Sequence, residues 1–270
     1  MEIFNIRQIA KNKILEKNLD PSVINLLLEN VLGLSNQEIL MKNILDLDED
    51  KTSRFFSLLD EYLENKKPIQ YILGYTYFYK RKFIINDNVL IPRFETEELV
   101  YHALKIINDS NYKTVVDVGS GSGNINITLK LEKNDLNIIG LDISKEALEV
   151  SKNNALNLNA NVCYYESDLL SYLISNNIKV DLIVSNPPYI DINDNEVDEI
   201  VRNNEPALAL FAIDNGLYNY KKIIYDSQKV LNKQGEILKK YALNKYQTIE
   251  VKIIKDIAKK DRILFIKFND

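Results

Sequence analysis

Apolar positions change period along the chain, and the change divides it. From residue 4 to about residue 66 they recur at three- and four-residue spacing, through Ile14, Val23, Leu26, Leu27, Val31, Phe55, Leu58, Leu59 and Tyr62, which predicts helices. Two helix starts are marked. Asp20 before Pro21 reads as an N-cap with proline at the first helical position, and Ser35 with Glu38 three residues on reads as a capping box. Between about 67 and 92 the pattern shortens to β-type runs at 70–73, 75–79, 83–85 and 89–91, the last closed by Pro92, which predicts a β-hairpin connector. After a helix at about 96–107, strands at 114–118, 137–142, 162–166 and 181–185 alternate with helices opening at Asn124 and Lys145. Such alternation argues an α/β fold with a parallel, doubly wound sheet. A helix at 216–231, a strand at 236–241, a helix at 246–258 and an apolar run at 263–268 complete the chain. The expected division is a helical domain over 1–75, a hairpin connector over 76–92 and an α/β domain over 93–270.

Composition narrows the class. The 270 residues are 46% hydrophobic and 27% charged, enough to bury a large core, and disorder, collagen and coiled coil are poor readings. Lys and Arg total 34 against 39 Asp and Glu, a net charge of −5, and the pI is near 5.2. No broad basic field exists to hold a phosphate backbone, so direct nucleic-acid binding is not expected. One cysteine, Cys163, and one histidine, His102, leave too few soft ligands for an ordinary zinc site, and no metal is expected. His102 reads as a structural residue of its helix. The first ten residues are mixed in charge rather than a basic segment followed by an apolar run, and no stretch approaches the roughly 18 to 20 apolar residues of a membrane span, so a cytoplasmic protein without membrane contact is expected. The Asn-x-Ser/Thr triplets at Asn108 and Asn126 are then bystanders to glycosylation.

Two segments carry candidate chemistry. Asp117-Val118-Gly119-Ser120-Gly121-Ser122-Gly123 closes the first strand of the alternating region and opens a helix, where an open parallel sheet binds ligands at its carboxyl edge. The dinucleotide fingerprint wants its third glycine at position 124, which is Asn124, so this is a different turn. Asp142 ends the next strand, where a carboxylate can accept both hydroxyls of a ribose. Glycine loop and ribose acid together imply an adenosine-bearing ligand; a tight βα turn with a capping Asp is the plainer alternative.

The second segment is Asn186-Pro187-Pro188-Tyr189, directly after the apolar strand 181–185. Two prolines fix φ and remove two backbone donors, leaving carbonyls with no N–H beside them to compete. Asn186 adds a side-chain carbonyl and Tyr189 an aromatic face, so a planar NH₂ group is the natural guest.

With these motifs the chain resembles methyltransferases that modify planar amino groups, in particular the bacterial release factor glutamine methyltransferases, the HemK/PrmC family. The resemblance runs through 68–74, the segment Val89-Leu90-Ile91-Pro92-Arg93-Phe94-Glu95-Thr96-Glu97, the glycine loop, Asp142, Asp168, the Asn-Pro-Pro-Tyr tetrad, Glu205-Pro206 with Ala209-Leu210, and Asp261-Arg262. It implies a Rossmann-like, S-adenosylmethionine-dependent domain over 93–270, with 1–75 recognising a protein substrate, the Gly-Gly-Gln loop of peptide chain release factors, and a monomeric enzyme. It also implies that Asp117 and the loop residues Gly119, Ser120, Gly121, Ser122 and Gly123 serve the methionine and ribose portion of the cofactor. Asp142 would hold the ribose, Asp168 and Leu169 would flank the adenine, and Asn186, Pro187, Pro188 and Tyr189 would hold the glutamine. Asn186, Pro187 and Tyr189 are the expected catalytic residues, with Asn186 also beside the cofactor.

The chain departs from the family pattern at four lysines. Lys80 and Lys259 stand where glycine is usual, and Lys239 with Lys240 where an acidic residue leads shortly to glycine. Two lysines in a buried strand are costly unless they reach water, so that strand is expected at a sheet edge or in another register. Two rival functions are open to this sequence. An adenine-N6 methyltransferase of DNA or RNA would use the same acceptor array by base flipping, against the acidic pI. A non-catalytic cofactor-binding protein is the other, against the intact loop, ribose acid and tetrad.

Overall fold

The computed structural model describes residues 1–42, 45–194, 196–239, 249–255 and 261–268. The chain divides into two compact units, Met1–Gly74 with Glu199–Asn204, and Tyr75–Asp198 with Glu205–Asp270.

In the first unit, helices α1 (Ile3–Glu16), α2 (Val23–Leu32), α3 (Asn36–Met41), α4 (Glu49–Asn65) and α5 (Ile69–Leu73) enclose a core built on Ile6, Ile14, Leu27, Leu28, Phe55 and Leu59. The capping box forms as expected: the Ser35 hydroxyl accepts from the Glu38 N–H, and the Glu38 carboxylate accepts from the Ser35 N–H. Two local expectations are corrected. Asp20 does not cap a helix at Pro21; its carboxylate accepts from the Ser22 N–H and hydroxyl, a local turn, and α2 starts at Val23. The run 70–73 lies in α5 rather than in a strand, because Pro68 before it and Gly74 in the left-handed region after it frame a single helical turn.

The second unit opens with the hairpin β1 (Tyr75–Phe78) and β2 (Arg81–Ile84). Its two-residue turn places Tyr79 and Lys80 at φ 49° and 63°, the pair of left-handed residues that a twisted hairpin demands and that glycine supplies without strain. The expected β-run 89–91 is irregular instead, since Val89 N–H closes a turn on the Asn86 carbonyl and Ile91 N–H donates to the Glu205 carboxylate. There follow α6 (Glu95–Ser110), β3 (Thr114–Val118), α7 (Asn124–Glu132), β4 (Asn137–Asp142), α8 (Lys145–Asn157), β5 (Cys163–Glu166), α9 (Ser171–Ser175), β6 (Val180–Ser185) and β7 (Ile190–Asp191). After α10 (Glu199–Asn204), which belongs to the first unit, come α11 (Ala207–Leu210), β8 (Phe211–Ala212), α12 (Tyr218–Val230), β9 (Leu231–Lys239), β10 (Ile249–Lys255) and β11 (Asp261–Phe268).

Seven strands form one sheet in the order β10-β11-β9-β6-β3-β4-β5; β9, β6, β3, β4 and β5 are parallel, and β10 and β11 run antiparallel at one edge. Period-two alternation splits the central strands between two cores. Val115, Ile138, Leu182 and Val184 face α6 and α7, while Val116, Val118, Leu141 and Ile183 pack with Ile223 and Ile224 of α12. The described part of the expected helix 246–258 is strand β10, whose sequence Ile249-Glu250-Val251-Lys252-Ile253 alternates β-branched with charged residues, a strand period. Strand β9 is interior rather than at an edge. Lys239 is its last residue, paired with β11 beyond the point where pairing to β6 ends at Leu238, so it stands at the strand's end. Lys240 and Lys259 lie outside the described residues.

Candidate active site

The order of the parallel strands sets the site. From β3 the chain winds outward through β4 to β5, then returns to place β6 on the other side of β3, and such a switch point opens a crevice at the carboxyl ends. A cleft of about 510 Å³ lies there, within the range of small-molecule sites. Each strand end supplies its wall: Val118 to Ser122 after β3, Asp142 after β4, Ser167 to Leu169 after β5, and Asn186 to Pro188 after β6.

Gly119 and Gly121 adopt φ of 81° and 54° with open space where a Cβ would stand, so backbone is what this turn presents to the cleft. The turn is held from outside. Gly119 and Ser120 N–H both donate to the Leu141 carbonyl, at 2.8 and 2.9 Å, and Gly121 N–H donates to Asp142 Oδ2 at 2.9 Å. From α8, the Ser151 hydroxyl donates to the Gly121 carbonyl and the Asn154 amide to the Ser122 carbonyl, at 2.7 and 2.9 Å. The same Asn154 exchanges two hydrogen bonds with Ile84, tying the hairpin to the turn.

Beneath the turn lies a buried polar network. Asn126 Nδ2 donates to Asp117 Oδ2 at 2.8 Å and to Ser120 Oγ at 3.1 Å, and the Tyr164 hydroxyl donates to Asn126 Oδ1 at 2.7 Å. Gly140 leaves the room for this crossing, since a Cβ there would stand 2.6 Å from Ser120 Oγ and from the Tyr164 ring. Asp117 is wholly buried with Oδ1 unpartnered; burial, with the neighbouring charge of Asp142, pushes its carboxyl up to about 7. Asp142 is also raised, chiefly by burial, although backbone N–H groups of Ser144, Gly121 and Ile143 favour its ionised form.

Of the expected site residues, Gly119, Ser120, Gly121, Ser122, Asp142, Asp168, Leu169, Asn186, Pro187 and Pro188 line the cleft. Asp117 and Gly123 do not; Asp117 supports the turn from below, and Gly123 caps α7, where a Cβ would meet Ile127 at 2.7 Å. Tyr189 is also off the wall and 43% exposed. Gly216 packs against its backbone, where a Cβ would stand 2.1 Å from the Tyr189 carbonyl oxygen. Asp168 pairs with Lys222 at 2.7 Å. His102 sits on α6 away from the cleft, its ring T-stacked on Tyr101, and burial lowers its pKa.

Sequence reasoning missed Asn126, Ser151, Asn154 and Tyr164. The available signal was polar side chains at helical spacing among apolar ones, as with Ser151 and Asn154 beside Val150 and Ala155, because a buried polar group needs a partner. The wall also takes in Pro92, Arg93 and Thr96 before β3 and Pro206, Leu208 and Ala209 after the tetrad. Glu205 joins these stretches. Its buried carboxylate accepts from Arg93 Nη2 at 2.5 Å and from the Ile91 N–H at 3.2 Å.

The glycine turn, Asp142 and the Asn186-Pro187-Pro188 segment meet on a switch-point cleft, and the fold around them is that of a Rossmann-like methyltransferase domain. Residues 98–210 match the Methyltransferase small domain, and residues 6–74 match the PrmC N-terminal domain. A release factor glutamine methyltransferase from Bacillus subtilis (strain 168) is 38% identical over 97% of this chain and 96% of its own length, and one from Staphylococcus aureus (strain NCTC 8325 / PS 47) is 44% identical over 75% and 76%. The chain belongs to the release factor glutamine methyltransferase family. Among solved structures, the hMettl16 catalytic domain in complex with MAT2A 3'UTR hairpin 6 shares the fold, with a TM-score of 0.50, 16% identity and 83% of each chain covered. Among the described residues no helix is long and apolar enough to cross a membrane.

Proposed function

We propose that this chain transfers a methyl group from S-adenosylmethionine to the side-chain nitrogen, N5, of the glutamine in the Gly-Gly-Gln motif of peptide chain release factors. The observation that carries the reading is the meeting of Asn186 and Pro187 with Gly119 to Ser122 and Asp142 on one cleft. Support for the substrate comes from the named relatives that match nearly the whole chain.

The residues present fit this cofactor. Open glycine backbone suits close approach of the methionine portion, and in this reading Asp142, at the end of β4, would hold the ribose and Asp168 with Leu169 would flank the adenine. Bound there, S-adenosylmethionine supplies an electrophilic methyl group on a sulfonium. The amide nitrogen is a weak nucleophile because its lone pair is delocalised into the carbonyl. In this reading its two N–H groups donate to Asn186 Oδ1 and the Pro187 carbonyl, which orients the lone pair toward the methyl. These acceptors strengthen as positive charge develops on nitrogen, so they favour the transition state over the ground state. The methylated nitrogen is very acidic and loses its proton without a dedicated base. Tyr189 lies off the cleft wall and takes no part in holding the amide in this reading.

The first unit is assigned to release factor recognition, and the enzyme to the cytoplasm as a monomer. A labelled-methyl assay offering a release factor, the same factor with its motif glutamine replaced by alanine, DNA and RNA tests the whole reading. Label is expected in the unaltered factor alone; label in nucleic acid, or in the alanine variant, overturns it.

A further inference from the structure

The tetrad proposed to hold the substrate amide lacks half of its backbone donors, because Pro187 and Pro188 carry no N–H. Their locked φ also makes the stretch from Asn186 to Tyr189 move nearly as one piece, so its position is set from its two ends. At the entry, the buried Ser185 hydroxyl donates to the Val118 carbonyl at 2.7 Å and ties the end of β6 to β3. At the exit, β7 follows Tyr189 directly and pairs with β8, Ile190 beside Phe211 and Asp191 beside Ala212.

Tyr189 itself meets the turn that follows β8. Asp214, Asn215 and Gly216 have φ of 61°, 52° and 77°, three left-handed residues in succession, whereas L-residues visit that region singly. The Leu217 N–H closes the turn on the Asp214 carbonyl at 3.0 Å, and the ion pair of Asp214 with Lys221, at 2.5 Å, ties it to α12. Backbone in so costly a conformation persists only where its surroundings over-determine it, and functional sites are where it concentrates. What this turn delivers is a residue without a Cβ against the tetrad: a Cβ on Gly216 would stand 2.1 Å from the Tyr189 carbonyl oxygen and 2.9 Å from its carbon. From α12, buried Tyr220 faces the same residue, and burial together with the Tyr189 phenol raises its pKa. Ile213, Tyr218 and Asn219, on either side of the turn, line the cleft with Asn186, Pro187 and Pro188, while Gly216 is off the wall.

We infer that the 214–216 turn is the positioning element of the tetrad. Gly216 sets where Tyr189 stands and, through the two prolines, where the Pro187 carbonyl and Asn186 Oδ1 stand in the cleft. This rests on the reading that those two acceptors hold the amide.

The test is single-turnover methyl transfer to a release factor at saturating cofactor, with cofactor affinity measured by calorimetry on the same full-length protein. Gly216→Ala forces the Tyr189 backbone aside and is expected to slow transfer by about 10- to 100-fold, the scale of a displacement of about 1 Å at a reacting group. Cofactor affinity is expected to stay within about threefold of wild type, less than half a decade. In an Asn186→Ala background one of the two displaced acceptors is already gone, so Gly216→Ala is expected to cost a smaller factor there. Equal factors in the two backgrounds overturn the inference, as does unaltered transfer in Gly216→Ala or a cofactor affinity that falls as far as the rate. Lys221→Met loosens the turn without placing an atom at the tetrad and guards against loss of the fold. It is expected to slow transfer by about two- to fivefold, the range of an exposed ion pair. Should Gly216→Ala not fold, unaltered transfer in Lys221→Met overturns the inference. A normal rate in Asn186→Ala alone overturns the reading of the acceptors itself, a different failure.

Discussion

Asp117→Asn tests the buried network under the glycine turn through its pH dependence. The native carboxyl is wholly buried and held at about 7, against 3.8 for an ordinary aspartate, with burial the main cause and Asp142 a lesser one. Because its folded pKa lies above its unfolded one, the native state binds the extra proton between those values. Stability from this residue is therefore complete below pH 4 and is lost as pH rises toward 7. A rise of about three pKa units is worth about 4 kcal/mol, an upper bound reached above pH 7. Asparagine keeps the shape and still accepts from Asn126 Nδ2 through its carbonyl oxygen, but carries no charge to desolvate. Urea unfolding of wild type and variant across pH 4 to 8 isolates the effect, since other carboxylates titrate in both. The variant is expected to gain about 3 to 4 kcal/mol on wild type between those limits. A difference that stays flat over that span refutes the buried charge.

Tyr164→Phe keeps the ring that fills the space at Gly140 but leaves Asn126 Oδ1 buried without its donor, so stability is expected to fall by about 1–3 kcal/mol in urea unfolding. Lys80→Gly relieves a left-handed residue in the hairpin turn and is expected to stabilise by about 0.5–1 kcal/mol, read as a raised Tm; a lowered Tm counts against strain there. On the proposed function, Asn186→Ala loses an acceptor that matters most in the transition state, and single-turnover transfer at saturating cofactor is expected to fall by about 10² to 10³ with cofactor affinity little changed. Asp142→Ala is expected to weaken cofactor binding by about one to two decades by calorimetry, with excess cofactor restoring most of the rate.

Strands β3, β4 and β6 were legible because burial on both faces leaves near-continuous apolar runs, followed by Gly119 after β3, closed by Asp142 in β4 and followed by Asn186-Pro187 after β6. The run 70–73 was not, since Tyr71 and Ile72 suit a strand as well as a helix; what decides is the frame of Pro68 and Gly74, not the residues between. Within 246–258 the apolar positions admitted a helical reading, whereas the stricter alternation at 249–253 is the pattern that β10 follows.

The site divides along the same line. The glycine turn and the tetrad were legible because their signals are local, consisting of glycines where the backbone is left-handed and prolines that remove backbone donors. Their supports were not, because Asn126, Ser151, Asn154 and Tyr164 gain meaning only when α7, α8, β4 and β5 have packed. Asn126 shows why: in sequence it begins a glycosylation triplet, whereas in the fold it is wholly buried and its side chain hydrogen-bonds to three different residues. A turn with three left-handed glycines sacrifices much backbone entropy to hold one shape, and without external partners its carbonyls would sample many. The buried polar side chains fix that shape from behind, which leaves the cleft side of the turn free for a ligand.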